Sequence, residues 1–183
     1  MMREFLRGIF YLLLGTLGGY LSATAAVNSF GASPAGAGSQ WRHWDVAPSS
    51  AAHPYAVAHY LLADRLPPPS GQIMEFVTDR DKDGNAIDGD CVYRVTGKPA
   101  AARWWSIALP ETGTAANPVV TAETAVLDAD GLLTVTISRH PSPGNWLGPA
   151  SGENYSLIYA VSESEAASGT TAAPPLTITR TEC

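Results

Sequence analysis

The chain has 183 residues, with 17 acidic side chains against 11 Lys and Arg and a formal charge of −6, a size that suits one folded domain with an appendage. Only Arg3, Glu4 and Arg7 are charged before residue 28, so the remainder holds the acidic excess and would repel a phosphate backbone. Nucleic acid is disfavoured as a partner. With 14 Pro and 17 Gly among many Thr, Ser and Val, the composition favours short strands and turns over long helices.

Residues 8–27 carry no charge, and a run of that length is about what a helix needs to cross a ~30 Å hydrocarbon core. Arg3 and Arg7 precede it and the next positive charge is Arg42, which orients the N-terminus to the cytoplasm and the rest of the chain outside it. A cleaved signal peptide is the competing reading, since residues 9–21 are apolar and Ala23-Thr-Ala25 has the small-x-small form of a cleavage site. The apolar stretch continues through Val27, longer than a usual signal core, and favours a retained anchor over residues 1–28. Either way the domain is exported. Gly15, Gly19 and Ala23 recur every four residues and would give a retained helix one face for close packing on another helix.

Residues 29–40 are mostly Gly, Ala, Ser and Pro and read as a flexible spacer before a domain at 41–183. Trp41 and Trp44 open that domain as an aromatic lip or as core. Pro54 suits the first turn of a helix running to about Arg65, with Tyr55, Ala58, Leu62 and Leu66 at helical spacing before Pro67-Pro-Pro69. His53 and His59 are six apart, off one helical face, so they make no metal pair.

Residues 72–78 alternate as a strand, with Met74 and Phe76 on one face and Ile73 and Val77 on the other. Asp79, Asp81, Asp83, Gly84 and Asp90 follow at the spacing of a calcium loop. Against this, Asp90 is short for the final bidentate position, Ile87 offers no side-chain oxygen, and the flanks are strand-like. The favoured reading is a solvated Asp-Gly hairpin turn, closed by a strand at 91–96 that pairs back on 72–78. Further strands are expected at 103–109, 119–127, 133–138, 155–161 and 176–181. About seven short strands between Gly, Pro and Asp turns indicate a mainly β fold: an antiparallel, jelly-roll-like sandwich with one short helix, preceded by a single transmembrane helix. In an exported domain two cysteines most simply form a disulfide, Cys91 to Cys183, the other arrangement being two free thiols.

Gly89-Asp-Cys91-Val-Tyr93, Arg103-Trp-Trp-Ser-Ile107, Asn145-Trp-Leu147 and the segment Pro174-Pro-Leu-Thr-Ile-Thr-Arg-Thr-Glu-Cys183 resemble a small, membrane-anchored bacterial group of the domain of unknown function 1214 family. The resemblance covers roughly residues 41–183. It implies a jelly-roll-like sandwich with no established activity and no catalytic residues to transfer. The charges before the span and the two cysteines make the expected domain periplasmic, tethered to a bacterial inner membrane. Ala160 and Ser162 stand where that family tends to have Arg and Tyr.

No Gly-x-Ser-x-Gly elbow, P-loop, His-Glu-x-x-His or Cys-x-x-Cys occurs, so no nucleophile, phosphate cradle, zinc site or cofactor can be nominated. His43, His53, His59 and His140 are scattered. Asn145 and Trp146 read as a structural turn, the amide bonding backbone and the indole plugging one end of the sandwich. Three functions remain. The first is a non-catalytic accessory subunit of an inner-membrane assembly, docking through the helix or the sandwich. The second is a glycan- or small-ligand-binding module using exposed members of Trp41, Trp44, Trp104 and Trp146. The third, an enzyme, needs a concave pocket with close carboxylates or a His beside a nucleophile.

Overall fold

The computed structural model describes residues 2–30, 32–36, 38–44, 53–62, 65–68, 73–110, 119–148, 154–162 and 174–183. Gln72, the expected strand start, and most of the expected loop at 162–175 lie outside them. The first element is α1 (Met2–Ser29), with no buried residue along its 28 positions. It is long and apolar enough to cross a membrane.

The strands β1 (Ala32–Pro34), β2 (Arg42–Trp44), β3 (Ile73–Thr78), β4 (Val92–Gly97) and β5 (Trp104–Ala108), with the helix α2 (Pro54–Leu62) between β2 and β3, make up the first half of the domain. The second half holds β6 (Val119–Thr121), β7 (Leu133–Ile137), β8 (Asn145–Leu147), β9 (Leu157–Ser162) and β10 (Leu176–Glu182). They form two sheets, one ordered β1-β2-β3-β9-β5-β6 and one ordered β10-β4-β7-β8. All pairings between these strands are antiparallel except β7 with β8. The fold is mainly β, as expected.

Alternation decides what lies between the sheets. Phe76, Tyr159, Val161, Trp105 and Ile107 face inward from one sheet, and Tyr93, Val95, Val135, Ile137, Leu176 and Ile178 from the other, all within one buried core. Each such side chain contributes roughly 1.5–3 kcal/mol on burial. Two polar atoms inside this core are bonded across it: the Trp41 indole donates to the Leu176 carbonyl at 3.1 Å, and the Ala100 amide donates to the Tyr159 hydroxyl at 3.0 Å. Gly97 ends β4 where a side chain would meet the Pro175 carbonyl oxygen at 1.9 Å, so only Gly lets β10 approach there.

Three expectations are corrected. The 29–40 spacer is partly built into the domain: β1 pairs with β2 and Ala35 is buried in the core, because Ala and Pro suit a sheet edge once a partner strand takes their backbone groups. Strands 72–78 and 91–96 do not form a hairpin. β3 pairs with β2 and β9, while β4 pairs with β10 and β7. Residues 79–91 exceed the two to five or so of a tight hairpin loop, long enough to carry the chain from one layer to the other with Ile87 buried on the way. Finally, Asn145 and Trp146 lie in β8 rather than in a turn. The Asn145 amide does bond backbone, at Val126 and Thr134.

The acidic stretch is a compact turn whose aspartates already have partners. Asp81, 1 % exposed, accepts from the Asp83 and Asn85 amides, both at 2.9 Å, through one carboxylate oxygen. Gly84 supplies the positive φ of the turn. Asp79 pairs with Arg42 at 3.2 Å, Asp83 with Lys82 at 3.0 Å and Asp90 with Arg139. The four carboxylates are thus spread over separate partners, and no metal-holding cluster occurs among the described residues. Asp81 is not merely solvated either. Burial alone would raise its pKa, but the hydrogen bonds from Asn85 and Asp83, with Arg180 nearby, hold it below the usual carboxylate range.

This gives a prediction with a definite sign. A depressed folded-state pKa contributes stability that is complete above the unfolded value of about 3.9 and is lost as pH falls through the folded value. Asp81→Ala should lower the unfolding free energy by about 1–3 kcal/mol at neutral pH. In urea titrations the gap to the parent protein should close below about pH 4; a gap that persists in acid would disprove the role of the ionised carboxylate.

Candidate functional site: a cleft over the six-stranded sheet

The outer face of the six-stranded sheet is not uniformly covered. Register places Glu75, Ala160 and Ser106 in one row across β3, β9 and β5, and Val77, Ile158 and Ala108 in the next. The small side chains of Ala160, Ser106 and Ala108 leave a hollow that bulkier residues would fill. α2 closes one side: Ala56 and Tyr60 are buried against Trp44, Val77 and Ala32. The result is a cleft of about 1050 Å³ whose lining also includes Asn28, Arg42, His59, Arg65 and Asp79.

Its charged centre is Glu75, whose side chain is 8 % exposed. Arg65 holds the carboxylate with two hydrogen bonds, at 3.0 and 2.6 Å, the fork geometry in which a guanidinium binds a carboxylate most strongly. The Tyr60 hydroxyl donates to the same group at 3.4 Å, and the Arg65 guanidinium lies 5.7 Å from the Tyr60 ring centre. Burial, with Glu75 beside it, pushes the Tyr60 phenol well above its ordinary value, so it stays protonated as a donor. His59 stacks on Trp44, ring centres 4.0 Å apart and planes within 8°. Burial, then the positive charge of Arg65, lowers the His59 pKa against an opposing pull from Glu75, leaving a neutral imidazole at neutral pH. Glu75 and Asp79 are each engaged by a guanidinium, an arrangement that fixes geometry rather than freeing a base. The cleft therefore offers a near-neutral polar wall, a neutral imidazole and a shallow apolar floor, chemistry suited to binding.

The four tryptophans expected as ligand contacts do not gather into one platform. Trp41 is 2 % exposed and sits between the sheets, and Trp44 is 8 % exposed beneath α2. Trp104 is half-buried in β5 at the level of Ser162. Trp146, half-buried in the other sheet, donates its indole N–H to the Ser138 carbonyl at 2.9 Å. Of the four, Trp44 alone lines the cleft. Cys91 and Cys183 form a disulfide that ties the residue just before β4 to the residue just after β10. Gly15, Gly19 and Ala23 lie on the exposed surface of α1, with open space beside both glycines.

Sequence reading missed Glu75, Arg65 and Tyr60. A signal was present: Glu75 is the one charged residue of the otherwise apolar strand Ile73-Met-Glu-Phe-Val77, and a carboxylate on a covered face requires a partner.

An N-terminal helix able to span a membrane, followed by a two-sheet β domain with this cleft, defines the class. The chain belongs to the family described as "Protein of unknown function (DUF1214)", which it matches over residues 72–165. Among solved structures it is similar to the VPA0106 protein from Vibrio parahaemolyticus, with 17% identity and a TM-score of 0.52, over 69% of this chain and 35% of that one. It is also similar to an uncharacterized protein from Burkholderia cenocepacia, with 20% identity and a TM-score of 0.46, over 60% of this chain and 29% of that one. The first likeness supports the fold. The chain thus spans about a third of the length of the solved proteins it matches. No curated protein matches it.

Proposed function

We propose that this protein is a single-pass accessory subunit of a bacterial inner-membrane assembly, with its N-terminus in the cytoplasm and its sandwich in the periplasm. The observation that carries this reading is α1: 28 residues with none buried, apolar enough to span a bilayer, and followed in the chain by a strand, β1, that pairs with β2 of the sandwich. Arg3 and Arg7 before the span support the orientation. The open face of Gly15, Gly19 and Ala23 is where a second transmembrane helix would pack. Purification of the full chain from native membranes in mild detergent should recover a stoichiometric membrane partner, and Gly15→Leu combined with Gly19→Leu should release it. Recovery of both forms as lone monomers would overturn the proposal.

The cleft favours a second reading, a small-ligand-binding module. Its support is the Glu75–Arg65 pair, with the Glu75 carboxylate buried, beside stacked His59 and Trp44 in one concave site. A ligand using that site would raise the melting temperature of the parent protein but not of a His59→Ala variant.

A further inference from the structure

α2 presents a side that the described fold leaves largely uncovered. Its sequence, Pro-Tyr-Ala-Val-Ala-His-Tyr-Leu-Leu, has no charged residue. One face is spent on the sheet through Ala56 and Tyr60, and His59 on Trp44. The opposite face carries Tyr55, Leu61 and Leu62, which are 40, 58 and 72 % exposed, and Leu66 just beyond is 86 % exposed. A helix apolar all round is normally enclosed, and a contiguous exposed apolar side marks a contact surface.

The position of this surface identifies what covers it. Phe30, directly after α1, packs its ring on Tyr55 with centroids 5.6 Å apart, and Asn28 lines the cleft beside α2. An apolar run over residues 8–27 rises about 30 Å as a helix, the thickness of the hydrocarbon core. Where α1 would leave that core, Asn28 and Phe30 come next in the chain with Tyr55 packed against Phe30, and headgroup depth is the level favoured by a Tyr ring with its polar hydroxyl.

We propose that the exposed side of α2, with Leu66, lies in the interfacial layer of the same bilayer that α1 spans, so that the cleft opens at the membrane surface. The inference rests on α1 being retained as the anchor. Leucines inserted at the boundary of headgroups and acyl chains would lose their contact with water, as in an interfacial amphipathic helix, and a second attachment beside α1 would fix the tilt of the sandwich.

The test uses the full chain in phospholipid nanodiscs. Because Cys91 and Cys183 are joined, a single introduced cysteine is the labelling site for a nitroxide. Labels at Leu61→Cys, Leu62→Cys and Leu66→Cys are compared with Leu13→Cys in α1 and Glu123→Cys after β6, on the sheet edge remote from β1. Accessibility to oxygen and to a water-soluble nickel chelate is read by power saturation. The expected result is oxygen-accessible, nickel-protected labels at 61, 62 and 66, shallower than at 13, and a nickel-accessible label at 123. Nickel access at 61, 62 and 66 equal to that at 123, with 13 still deep, overturns the inference and leaves the anchor standing. A label at 13 that is open to nickel, or a chain that fails to enter nanodiscs, overturns the anchor and the inference with it. Labels at 61 and 62 shielded from both reagents mean that protein covers the face, a second copy if spin–spin broadening vanishes on dilution with unlabelled chain; this too overturns it.

Discussion

Cys183→Ser should lower the unfolding free energy by about 4 kcal/mol, the largest single loss expected from a change outside the core. The bond links residues 92 apart, and in the chain-entropy model closing a loop of that size removes roughly 4–5 kcal/mol of freedom from the unfolded ensemble. The native fold need not change, because β10 keeps its antiparallel pairing with β4 over Leu176–Glu182 and its buried Leu176 and Ile178. A urea titration of the oxidised parent, the reduced parent and Cys183→Ser should give one midpoint for the last two, well below that of the first. Equal midpoints for all three would show that the unfolded chain gains nothing from losing the bond. Alkylation of both thiols in trapped cells before any reductant would place the domain in a reducing compartment and defeat the periplasmic proposal.

Arg65→Ala is the second large effect, expected at about 2–4 kcal/mol. Removing the guanidinium leaves the Glu75 carboxylate, 8 % exposed, without its charged partner and with the long Tyr60 contact still in place, and an uncompensated buried charge is costly. The estimate lies below that for a fully enclosed pair because the Arg65 side chain is 39 % exposed, which lets water screen the interaction. Combining Arg65→Ala with Glu75→Gln should recover much of the loss, since the remaining amide carries no charge. Arg65→Lys should recover less, since an ammonium cannot make two parallel bonds to a carboxylate. Thermal melts of the four proteins check this: a double variant no more stable than Arg65→Ala would mean that Arg65 acts through packing on Tyr60 rather than through charge.

What the sequence revealed follows from what periodicity can encode. In β7, Leu133, Val135 and Ile137 alternate with Thr134 and Thr136, and five residues suffice to identify the strand and its inward face. β1, β2 and β8 are three residues each, too short to show a period, and the sequence presents them as spacer, as an aromatic segment forming a lip or packing on the core edge, and as turn. Alternation names a strand's face but not its neighbour. Consequently β3 and β4 were each recognisable while their pairing to one another was a wrong inference from proximity in the chain. The site was hidden for a related reason. Glu75 and Arg65 are separated by a proline run, and the floor residues Ala160 and Ser106 are unremarkable until register sets them beside Glu75. The indoles drew attention through their size, and the same size buried Trp41 and Trp44.

The place of β9 in its sheet has a kinetic consequence. It lies between β3 and β5, yet it follows β3 by about eighty residues of chain. As the chain emerges in sequence order, β3 and β5 each keep an unsatisfied edge until that strand arrives, and such edges invite pairing with other chains. Distant pairings of this kind fold slowly. Nearly all of the domain must therefore emerge before the six-stranded sheet can close, and a holding chaperone would raise the yield of folded protein.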